Sequence, residues 1–75
     1  LYYNKHMNTS HLTAIKQKHI GLRDIAKADL ETYLTNLVAI GEHPDFGTEI
    51  EKKLEDVAKH QSVIDTVDVY LDENK

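Results

Sequence analysis

Five histidines in a chain of 75 residues raise the question of metal or proton chemistry: His6, His11, His19, His43 and His60. A helix holds a metal ion through ligands three or four residues apart on one face. No two of the five histidines have that spacing, and the nearest mixed pair is Asp56 with His60. The Glu-x-x-His pair that di-iron bundles use does not occur. No metal site and no cofactor are therefore expected. Two of the histidines, His19 and His60, fall on otherwise apolar helical stripes, and Gln61 stands beside the second. These three form a candidate polar seam. Polar residues at such places fix register or oligomeric state at some cost in stability, and a neutral histidine there responds to pH.

The carboxylates are the next group with chemical potential. Asp65, Asp68 and Asp72 share one flank of a helix. The plain reading is a solvated face, and the sharper one is an acidic patch for a basic partner. No nucleophile–base pair stands out, and three glycines are too scattered for a phosphate-binding loop. No enzyme is expected. The cations Lys16, Lys18, Arg23 and Lys27 cluster in the N-terminal half. They support an alternative reading as an RNA- or DNA-associated regulator, by analogy of architecture with small hairpin dimers that bind RNA. Against it, the four do not lie on one stripe, no aromatic residues are interleaved, and the net charge is −4. Nucleic acid is the less favoured partner.

Two amphipathic helices position these groups. At 100° per residue Leu12, Ile15, His19, Leu22, Ala26, Leu30, Tyr33, Leu34, Leu37 and Ile40 share an arc of about 120°. Asn8-Thr9-Ser10 offers N-cap chemistry ahead of it, and Gly41 follows as a C-terminal stop. The first helix is expected over about 10–40. Gly21 lies within it. The apolar phase runs through the glycine, so continuity is preferred over a three-helix bundle broken at Gly21. A second stripe holds Phe46, Ile50, Leu54, Val57, Ile64, Val67 and Leu71 and predicts a helix over about 45–72. Thr48-Glu49-Ile50-Glu51 has capping-box spacing and is an alternative start. The β-branched run Val63 to Leu71 permits a strand, but a lone strand has no partner, so helix is preferred.

A short connection makes the helices antiparallel neighbours. Charge agrees, because the acidic end of the second helix then lies beside the basic half of the first. The fold class is all-α, a two-helix hairpin in one domain spanning residues 1–75. Its expected core or interface comprises Leu22, Ala26, Leu30, Tyr33, Leu37, Ile40, Ile50, Leu54, Val57, Ile64 and Val67, with Ala26 near His60 and Gln61. Such a hairpin cannot cover all of its apolar surface. Ile20, Ile25, Val63, Val69 and Tyr70 lie off the main stripes, so two hairpins are expected to form a four-helix bundle. The function this implies is a non-enzymatic, homodimeric interaction or accessory protein.

The sequence lacks cysteine, a membrane-length apolar run and a signal-peptide core, which gives a cytoplasmic expectation with no membrane partner. Residues 1–6 read as an expression remnant ahead of a native start at Met7, or residues 1–7 as a flexible N-terminal arm.

Overall fold

A computed structural model describes residues 8–36 and 45–73. The chain is an all-α helical hairpin. Helix α1 spans Ser10–Thr35 and α2 spans Phe46–Glu73, and the two pack against each other along their length. At 1.5 Å per residue they are about 39 and about 42 Å long, well matched for a hairpin. The cross-helix pairs Lys16 with Asp68, His19 with His60 and Tyr33 with Phe46 show the antiparallel sense.

Local chemistry explains where the helices begin. Thr9 is the N-cap residue of α1 but makes no side-chain cap bond. The neighbouring Asn8 does this work, accepting the Ser10 N–H at its Oδ1 at 2.9 Å. In α2 the cap is Asp45. Its Oδ1 accepts the Thr48 N–H at 3.2 Å, and its carbonyl accepts the Glu49 N–H at 3.2 Å. The helix therefore starts at Phe46, and the alternative start at Thr48 is corrected: Thr48 is a donor inside the first turn. Glu49 in that turn complements the positive helix end.

Gly21 does not break α1. It sits in continuous helix on an exposed face, and a Cβ added there would meet nothing within 4 Å. The run from Val63 to Leu71 is helical, as preferred.

Helix α1 ends earlier than expected, at Thr35 rather than near residue 40. Its last carbonyls are taken by local donors. Thr35 Oγ1 donates to the Glu31 carbonyl at 2.6 Å, and Asn36 donates to the Thr32 carbonyl through both its N–H and its Nδ2, at 3.1 and 2.9 Å. Such side-chain bonds compete with helix propagation. Leu37 and Ile40, expected in the core, lie outside the described residues, as do the turn residues Gly41, His43 and Pro44 and residues 1–7.

The seam runs through the half-buried Leu22, Ala26, Leu30, Tyr33, Ile50 and Val57 to the buried Ile64 and Val67. Those last two, 5% and 6% exposed, are the only buried side chains among the described residues. Leu54, expected in the core or interface, is 52% exposed in the single hairpin. Its helical phase, about 80° from Phe46, turns it off the line joining the two helix axes. Among the described residues no helix is long and apolar enough to cross a membrane.

Candidate functional site

The polar residues expected at the seam do meet there, and they form a layer. His19 Nδ1 and His60 Nδ1 lie 2.9 Å apart, with ring centroids 5.0 Å apart and planes tilted by 43°. One ring must donate and the other accept. The pKa of His19 lies below the ordinary imidazole value. Desolvation at the seam is the main cause, followed by the charges of His60, Lys18 and Lys59. Both rings are therefore best accommodated when they share a single Nδ1 proton. The pair could serve as two metal ligands, but no group of three or more candidate ligands is assembled among the described residues.

Gln61 completes the layer. Its Oε1 accepts Arg23 Nη1 at 2.9 Å, and its Nε2 donates to Asp65 Oδ1 at 3.0 Å. Arg23 also contacts Asp24 Oδ1 at 3.0 Å. Two turns from the Arg23–Gln61 contact along both helices, Lys16 Nζ donates to Asp68 Oδ1 at 2.7 Å. In the expected acidic patch Asp65 is held by Gln61 and Asp68 by Lys16. Asp72 is exposed. The arrangement ties the two helices together across the seam.

Ala26 lines the same groove as His60, as expected, but it is His19 that touches His60 and Arg23 that touches Gln61. Sequence reasoning set the basic half of α1 beside the acidic end of α2 but did not pair Lys16 with Asp68 or Arg23 with Gln61. The signal was a shared spacing: Lys16 to Arg23 and Gln61 to Asp68 are both seven residues, two turns on each helix.

At the other end Tyr33 meets Phe46 edge-on, with centroids 6.3 Å apart and planes at 68°, and Lys53 Nζ sits 5.1 Å from the centre of the Tyr33 ring. The Tyr33 hydroxyl is buried with no hydrogen-bond partner among the described residues. Its pKa is raised, first by desolvation and then by Glu49 and Asp45.

Surface depressions flank the helices, and two of them bear on the seam and on α2. One groove, about 270 Å³ in volume, has Leu22, Ile25 and Ala26 along its α1 side, with Asp29 at its edge. Lys53, Asp56, Lys59 and His60 form its α2 side. The other is a more open hollow on the outer face of α2, around Ala58, Ser62, Thr66, Val69 and Tyr70. No protein-family model, no characterised protein and no solved structure matches this chain.

Proposed function

We propose that this protein acts without catalysis, as an interaction or accessory module whose working form is a homodimer. In that form two hairpins pack into a four-helix bundle. One observation carries the reading: among the described residues only Ile64 and Val67 are well buried, while Ile25, Leu54, Val69 and Tyr70 remain at least half exposed. A short chain with so small a core has little stability to spare, and association is the usual remedy. Folding and dimerisation are then coupled. The melting temperature should rise with protein concentration, because association stabilises only the folded state. A folded monomer in sedimentation at micromolar concentration, with a melt independent of concentration, would overturn the proposal.

The nucleic-acid reading stands second. It needs the cations of α1 to be available to phosphate, yet Lys16 is held by Asp68, and Arg23 by Asp24 and Gln61. Binding to generic RNA or duplex DNA that falls steeply with salt would restore it.

A further inference from the structure

The groove beside the seam differs from the rest of the surface in two ways. Ile25, on its α1 side, is 60% exposed, more than any other large hydrophobic residue described. Four charges lie around it, two of each sign: Asp29 and Asp56, Lys53 and Lys59. Lys53 rests over the Tyr33 ring. The side chains of Asp29, Asp56 and Lys59 make no hydrogen bond or ion pair among the described residues. The contrast with Lys16, Arg23, Asp65 and Asp68 is direct, since all of these are engaged within the chain.

From this we infer that the groove is the surface on which a second copy of the chain docks, through a twofold axis running along the helices. The inference rests on the homodimer reading above and names its interface. A twofold interface sets one patch against itself, so the patch must be complementary to itself. A patch of one sign repels its copy; a balanced patch with an apolar centre attracts it. This groove has Leu22, Ile25 and Ala26 at the centre and equal numbers of carboxylates and ammonium groups around them. An axis along the helices lays α1 of one copy over α2 of the other. Every neighbouring pair in the resulting bundle is then antiparallel, which offsets the helix dipoles. It also sets Asp29 on α1 of each copy against α2 of the other, the helix that carries Lys53 and Lys59.

The test is charge exchange. One double variant carries Asp29→Lys and Asp56→Lys, and a second carries Lys53→Glu and Lys59→Glu. Sedimentation of each alone should show dimerisation weakened at least tenfold, and an equimolar mixture should recover the dimer. If either variant loses helicity alone, recovery of the circular dichroism signal on mixing gives the same answer. Ile25→Asp, at a position outside the seam, should also weaken the dimer, whereas Leu54→Lys should not. A wild-type dimer indifferent to the groove variants overturns this surface while the homodimer reading survives. A folded wild-type monomer at micromolar concentration overturns both.

Discussion

The two flanks of this hairpin share one seam and treat their charges in opposite ways. On one flank Lys16 reaches Asp68, and Arg23 reaches Gln61, which in turn holds Asp65. The polar groups there satisfy one another, and the flank is finished within the chain. On the other flank Asp29, Asp56 and Lys59 have no such partners, and Ile25 stands in solvent between them. Composition alone does not separate the flanks, since both mix charged and apolar residues. They are distinguished by pairing across the seam, and that depends on register. A flank whose charges are consumed internally gives orientation to the hairpin, and a flank whose charges are left over has something to offer a partner.

The largest effect should come from the seam that both flanks depend on. Ile64→Ala should destabilise the protein by about 2–5 kcal/mol in chemical denaturation, the usual range for truncating a buried aliphatic residue. Leu54→Ala, on the finished flank and half exposed, should cost less than about 1 kcal/mol. Comparable losses at the two positions would show that Leu54 is covered in the assembled protein. The contrast between the flanks would then fail.

The histidine layer gives the next test. The folded state lowers the pKa of His19, chiefly by desolvation and then through His60, Lys18 and Lys59. A lowered folded-state pKa means that the unfolded chain takes up its proton first as the pH falls. The contribution of His19 is therefore fully present above its ordinary pKa of about 6.5 and declines below it. The melting temperature should drop between about pH 7 and pH 5, where carboxylates remain largely ionised. His19→Gln should flatten that slope. An unchanged slope in the variant would assign the acid sensitivity elsewhere.

Much of this was legible in the sequence. The two helices, their antiparallel sense and the seam residues from Leu22 to Val67 follow from a period of 3.6 and from which end of each helix is charged. The continuity of α1 through Gly21 follows from unbroken apolar phase. The end of α1 does not follow, because Leu37 and Ile40 keep the apolar phase while Thr35 and Asn36 take up the carbonyls one turn back. Which side chains face each other is likewise not written in the stripes. His19 and His60 could each be placed at a seam, yet their contact depended on where the connection closes. Leu54 illustrates the same limit in angle: a stripe drawn on a helix does not say how wide the neighbouring helix will cover it.

Gly21 offers a control that touches neither flank. It is exposed, helical and surrounded by open space. Gly21→Ala should therefore stabilise the protein by about 0.5–1 kcal/mol, through the lower backbone entropy of the unfolded chain. Because the residue is away from the groove, the dimer dissociation constant measured under fully folded conditions should not move. A change in that constant would mean that the outer face of α1 takes part in association.

The smallest effect belongs to the finished flank itself. Lys16 and Asp68 lie 2.7 Å apart, but both side chains keep substantial exposure to water. A pair of this kind contributes little, because solvent screens it and two long side chains must be held in place. A double-mutant cycle with Lys16→Ala and Asp68→Ala should give a coupling of about 0.2–1 kcal/mol that shrinks as salt is raised. Its value lies in comparison with the groove charges. Lys16 and Asp68 pair within one chain, so their coupling should be independent of protein concentration once unfolding is corrected for dimer formation. Asp29 with Lys53, paired between chains on the proposed surface, should couple only in the dimer. A coupling between Lys16 and Asp68 that vanishes on dilution would place that pair between chains as well, and the difference between the two flanks would be lost.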